Sequence, residues 1–137
     1  MTSSVGLVVL DSTVSSFLMH DRGQAGYYRR AIAGLTPVLP FQAVEEAWFG
    51  AIRDHWGDRR RGELQSHIEQ FEVIWPNAET VRISARLRSE REQAGRRLTT
   101  ADAWIAATAL MLGCPLASHD GDFSGIPDLE LIRARQP

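Results

Sequence analysis

The chain contains no lysine: all 15 of its basic residues are arginine. Every cation is therefore a planar fork suited to phosphate or carboxylate. With 17 acidic residues the formal net charge is −2, so no bulk basic field advertises nucleic acid. One cysteine, Cys114, excludes an intrachain disulfide and fits a reducing cytoplasm. His20, His55, His67 and His119 stand apart from one another, so no zinc-ligand spacing is present. The longest charge-free stretch, Ala103 to His119, is interrupted by Gly113 and Pro115, which excludes a single membrane-spanning helix. The N-terminus lacks the basic region and cleavage site of a signal peptide. Repeats, low-complexity tracts and linkers are absent too, and 137 residues suit one domain, residues 1–137.

What remains is an alternation of short apolar runs and helical periodicities. Val5 to Leu10 reads as a buried strand, followed by a helix from Ser12 that Asp11 or Ser12 can cap. Tyr27 to Ala33 reads as helix up to Gly34, and Pro37 to Pro40 as a short extended run. Gln42 to Trp56 places Val44, Ala47, Trp48, Ala51 and Ile52 on one helical face, with Gly57 as its stop. Further helices are expected over Arg61–Phe71 and Asn77–Ala94, the latter with Val81, Ile83, Ala85 and Leu87 partly buried. An extended Val73-Ile74 separates them. Thr100 to Leu112 is apolar nearly all round and should pack centrally, stopped by Gly113. Leu116–Ser118 and Leu129–Ile132 complete the strands. Strands separated by helices imply an α/β fold with parallel pairing and right-handed crossovers.

On that pattern Asp11, Glu46, Asp102 and Asp120 each fall where a strand ends or a helix begins. Singly, each has a structural use. Asp11 can cap a helix, Thr99-x-x-Asp102 resembles a capping box, Glu46 can be a solvated helix acid, and Asp120 suits a turn. Jointly they fall on one edge of a parallel sheet, where ligands of open α/β folds bind. Gathered carboxylates repel unless a cation sits among them. Hard oxygen donors suit Mg²⁺ or Mn²⁺. Such an ion lowers the pKa of water and neutralises charge on a phosphoryl oxygen.

The blocks Leu10-Asp-Ser-Thr13, Val44-Glu-Glu-Ala-Trp-Phe-Gly50, Leu98 to Leu110 and Leu116-Ala-Ser-His-Asp-Gly-Asp-Phe123 resemble the PIN-domain ribonucleases. More narrowly, they are similar to VapC toxins of prokaryotic type II toxin–antitoxin systems. The resemblance runs from Asp11 to Leu131 and is most specific around Asp102 and in Ser118-x-Asp-x-x-Phe123. It implies a three-layer α/β/α sandwich around a mainly parallel sheet and a Mg²⁺-dependent endoribonuclease leaving a 5′-phosphate and a 3′-hydroxyl. Catalytic roles then fall on Asp11, Glu46, Asp102 and Asp120, with Asp11, Asp102 and Asp120 as metal ligands. Glu46 is chosen over Glu45 because the family's acid stands four residues before a glycine, here Gly50. Thr13 stands where the family often has Asn, and Ser118 where Thr is usual; neither departure removes a ligand. Asp122 is expected to be a turn residue or an auxiliary acid.

The resemblance also implies a cytoplasmic homodimer silenced by a VapB-like antitoxin, which lays a helical tail over the toxin. Phe41–Phe71 is the candidate receiving segment. Arg96, Arg97 and Ser118 are candidate RNA contacts, Arg59–Arg61 being a second basic run. Two other readings compete. A Mg²⁺ phosphatase or phosphoacceptor domain would carry a lysine near the phosphoryl group, and a phosphatase often an Asp-x-Asp pair after its first strand; neither is present. A non-catalytic interaction module of the same fold need not keep like charges together.

Overall fold

The computed structural model describes residues 6–134. Val5, the expected start of the first strand, lies outside the described residues. Five strands form one parallel sheet: β1 (Leu7–Leu10), β2 (Thr36–Pro40), β3 (Glu72–Ile74), β4 (Leu116–Ala117) and β5 (Leu131–Ile132), in the spatial order β3-β2-β1-β4-β5. The helices are α1 (Ser12–His20), α2 (Ala25–Ala31), α3 (Phe41–Arg53), α4 (Asp58–Glu69), α5 (Ala78–Gln93) and α6 (Thr100–Leu112). β1 lies between β2 and β4, with Val9 beside both Val38 and Leu116. The chain therefore reverses its direction of winding at β1, and such a switch point opens a crevice beyond the strand carboxyl ends.

Alternate residues of β1 feed two cores, because side chains along a strand point to opposite faces. Val9 packs with Leu87, Leu98, Ile105, Ala106 and Phe123 on the α5–α6 side. Val8 and Leu10 pack with Val14, Tyr28 and Ile32 on the α1–α2 side. The sheet thus lies between two helical layers, as expected. α6 earns its central place through small residues: Ala103, Ala106, Ala107 and Ala109 are fully buried. Gly113 ends α6 in the left-handed conformation at φ 63°, which costs glycine nothing.

Several boundaries differ from the sequence reading, each for a local reason. α3 stops at Arg53, because His55 turns left-handed at φ 56°; Gly57 instead caps the start of α4, which begins at Asp58 rather than Arg61. α2 begins at Ala25, and Phe71 lies beyond α4. On α5 the buried row is Thr80, Ser84, Leu87 and Arg91, while Val81 is half-exposed. Two of its polar residues are held there by hydrogen bonds. Thr80 exchanges hydrogen bonds with Asn77 in a capping box, and Arg91 reaches two carbonyls near the site.

Tyr28 joins the second helical layer to the sheet. Its hydroxyl accepts from Ala134 N–H at 3.1 Å and donates to Ser118 O at 3.2 Å, bridging the ends of β4 and β5. Tyr28→Phe is expected to leave both backbone groups without this partner and to destabilise the fold by about 1–3 kcal/mol. Urea unfolding should show a lower midpoint with an unchanged slope.

Candidate metal centre

The site forms where β1 and β4 end side by side. Asp11 follows β1 directly and caps α1: one carboxylate oxygen accepts from Val14 N–H at 2.8 Å. The other accepts from Ser118 Oγ at 2.6 Å and from His119 N–H at 3.4 Å. Asp11 is 4% exposed, so both oxygens need these donors. Ser118 Oγ in turn accepts from Asp120 N–H at 3.0 Å, and Asp120 Oδ1 accepts from Asp122 N–H at 2.9 Å. One unbroken chain of hydrogen bonds therefore runs from β1 through the loop after β4. It fixes Asp120 and Asp122 relative to Asp11.

α6 runs antiparallel to the strands and brings its amino end to the same edge. Thr99 Oγ1 accepts from Asp102 N–H at 3.1 Å, so the first turn of α6 is capped from its own flank. One carboxylate oxygen each from Asp102, Asp120 and Asp122 lies within 4.8 Å of the others. Asp122 occupies a single 3-10 turn, Gly121–Phe123, and belongs to this triad, so it is more than a turn residue in position. Asp11 borders the triad through Ser118 and Asp120 without being one of its three members. Glu46 approaches from α3, where its carboxylate accepts from Ser12 Oγ; Glu45, its neighbour, is exposed.

The electrostatics follow from this crowding. Burial raises the Asp102 carboxyl above its ordinary value of 3.8, with Asp120, Asp122 and Glu46 adding like-charge repulsion against the Thr99 hydrogen bond. Burial also raises Asp11, opposed by its bonds to Ser118, Val14 and His119, while Asp120 repels it. The residues present fit a divalent cation. The donors are hard carboxylate oxygens, they are clustered, and the two with raised proton affinity are the most enclosed. Among the described residues no cation forms an ion pair with the triad.

Sequence reasoning missed Arg91. Its Nη2 donates to Asp122 O at 2.9 Å and its Nη1 to Ser124 O at 3.1 Å, pinning the loop that carries Asp120 and Asp122. The available signal was spacing, since Arg91 falls four residues after Leu87 on one face of α5. Arg96 also donates to Ser124 O, at 3.1 Å, so this candidate RNA contact already holds the loop; Arg97 is exposed.

A family model of the PIN domain matches residues 8–129. The chain belongs to the PIN-domain family. It is 33% identical over 78 residues to ribonuclease VapC5 of Mycobacterium tuberculosis, covering 55% of this chain and 57% of that relative. Ribonuclease VapC4 of the same organism is 33% identical over 73 residues, with 53% and 56% covered. The chain thus spans little more than half the length of these curated relatives. In three dimensions it resembles VapBC2 of Rickettsia felis, whose structure was solved with a promoter DNA fragment. That match has a TM-score of 0.81, 20% identity, and coverage of 94% of this chain and 99% of the other. VapBC-5 of M. tuberculosis aligns with a TM-score of 0.71 at 23% identity, over 94% and 99%. At these identities the structural likeness establishes the PIN fold.

The raised Asp102 carboxyl makes a prediction about stability. The unfolded chain loses this proton first, near 3.8, so the folded state is penalised as pH rises toward the folded-state pKa. The penalty is complete above that value and disappears below 3.8. Asp102→Asn is therefore expected to raise the metal-free melting temperature at neutral pH, by about 4 °C for each kcal/mol of repulsion relieved. Added Mg²⁺ should stabilise the parent and leave the variant nearly unmoved, as read by thermal scans with and without EDTA.

Proposed function

We propose that this protein is a Mg²⁺-dependent endoribonuclease acting as the toxin of a VapBC-type toxin–antitoxin pair. The observation that carries the proposal is the Asp102–Asp120–Asp122 triad at the sheet edge of a PIN domain. VapC ribonucleases as curated relatives support the same chemistry.

Asp102, Asp120 and Asp122 would hold Mg²⁺, with Mn²⁺ as a substitute, and Asp11 would add its charge from the β1 side. The bound ion supplies Lewis-acid stabilisation of the phosphoryl oxygens and a more acidic water. Ser118 holds one Asp11 carboxylate oxygen and the Asp120 amide through a single hydroxyl. Glu46 stands outside the triad, held by Ser12, and is the acid proposed to orient the attacking water. Arg91 and Arg96 hold the loop backbone and so keep Asp122 in reach of Asp102. Arg97, exposed just before α6, is the remaining proposed phosphate contact, with Ser118 acting through Asp11.

The proposed antitoxin site is the groove between α1, α3 and α4. It encloses about 520 Å³ and is lined by Met19, Val44, Ala47, Phe49, Trp56 and Leu64 among others. Phe49, which lines it, is 58% exposed, as is Ile52 on the same helix, unusual for residues of their size. Glu46 and Arg53 also line it, so an occupant would reach from an apolar floor to the acids. A second copy of the chain, related by two-fold symmetry, completes the proposed assembly.

Purified antitoxin-free protein should cut members of a labelled RNA panel in Mg²⁺ and stop in EDTA. Asp102→Asn should lower kcat by more than the roughly 10–100-fold that an outer-shell change costs, and Ser118→Ala by about that amount. A folded parent that binds Mg²⁺ and cuts none of a transfer, ribosomal and messenger RNA panel would overturn the proposal in favour of a binding module.

A further inference from the structure

Three aromatic residues that the site does not use lie along the edge that carries the acids. Phe41 follows β2 and opens α3, Trp75 follows β3, and Trp104 stands two residues after Asp102 on α6. Phe41 and Trp75 stack, with centroids 6.2 Å apart and planes at 23°. Trp104 meets Phe41 edge-on, at 5.6 Å and 77°. Both arrangements are those aromatic pairs prefer. Phe41 and Trp104 are half-buried, whereas Trp75 is 68% exposed. One face of its indole is therefore backed by a ring and the other is open.

Trp75 is unlike the exposed Phe49 and the half-buried Trp56. Phe49 carries the Arg53 guanidinium 5.6 Å from its centroid, and Trp56 carries Arg60 at 3.8 Å. No cation covers Trp75 among the described residues. Its backbone is stiff as well: it precedes Pro76, which restricts it to extended conformations, and Asn77 then caps α5. A flat ring held this firmly loses little entropy when a second ring lies on it.

The geometry points to Trp75, supported by Phe41 and Trp104, as a stacking platform for a base of single-stranded RNA bound across the acidic site. The inference rests on the proposed nuclease reading and adds to it a base-binding contact at Trp75, which only an unpaired base can use. Stacking is tolerant of sequence because every base has a π-face, whereas a duplex hides those faces. Position supports the assignment. β3 pairs with β2 and β2 with β1, so a strand extended along the carboxyl-end edge passes from Trp75 over Phe41 to Asp11 and Asp102. The nearby acids Glu72 and Glu79 do not attract phosphate, so the contribution of Trp75 is stacking and not ion pairing.

The test uses the full chain carrying Asp102→Asn, so that bound RNA stays intact. The probe is an end-labelled single strand of about ten nucleotides, a length within the span of single-strand grooves. Its blunt duplex is the control. Trp75→Ala in this background should weaken single-strand binding by about 5- to 150-fold, the range of one lost stacking contact. Trp75→Phe should recover most of the loss, and duplex binding should be unmoved. The ratio between parent and Trp75→Ala should stay constant as salt rises, because no counterions are released at the ring.

Equal single-strand affinity with and without the indole would overturn the platform while leaving metal-dependent cleavage by the parent intact. A loss of affinity accompanied by a halved mass in sedimentation would overturn it too, making Trp75 a contact between two copies of the chain. If the Asp102→Asn background binds neither strand nor duplex and the parent cuts no RNA, the platform and the nuclease reading fall together.

Discussion

The Ser118 hydroxyl is fully buried, donates to Asp11 at 2.6 Å and accepts from the Asp120 amide at 3.0 Å. A single oxygen thereby ties the residue that follows one strand to the loop after its neighbour. Without it, Asp11 would be a carboxylate in the protein interior lacking its shortest hydrogen bond, and the loop would lose its registration with the sheet. The rest of the site hangs from this joint. Asp122 takes its place from Asp120, Arg91 and Arg96 hold the loop from outside, and α6 brings Asp102 against the pair so formed. The hydroxyl is the working part of this joint.

The same arrangement sets a conflict between stability and charge. Three carboxylates within 4.8 Å repel, and burial deepens the penalty at Asp102 and Asp11. The fold tolerates this because it has two apolar cores, one on each face of β1. A preorganised cluster of this kind gives up stability in the metal-free state and regains it on binding a cation. Rigid backbone bonds, rather than side-chain ion pairs, keep the acids from swinging apart in the meantime.

Much of this was legible in the sequence. Short apolar runs separated by helical periodicities specified a parallel sheet, and parallelism alone brings strand carboxyl ends and helix amino ends to one edge. Asp102 and Asp120 could therefore be placed together with no side chain in view. What was not legible depended on tertiary partners. The end of α3 at Arg53 is set by a left-handed His55, a conformation that residue type does not announce. The buried row of α5 is polar, so the apolar pattern chose Val81, which is half-exposed, over Thr80, Ser84 and Arg91. Asp122 suited a turn by composition and does occupy one. Only the backbone path around Gly121 brings its carboxylate back to Asp120 and Asp102.

The sheet's outer strands are three and two residues long. Just past β5, Tyr27 donates to Arg133 O at 3.1 Å and Tyr28 takes up the Ala134 amide. The backbone groups that an added strand would need are thus few at one border and already claimed by phenols at the other. Among the described residues, strand addition, the usual route by which open sheets aggregate or recruit extended peptides, therefore finds only short borders, and the broader surfaces offered to other chains are helical.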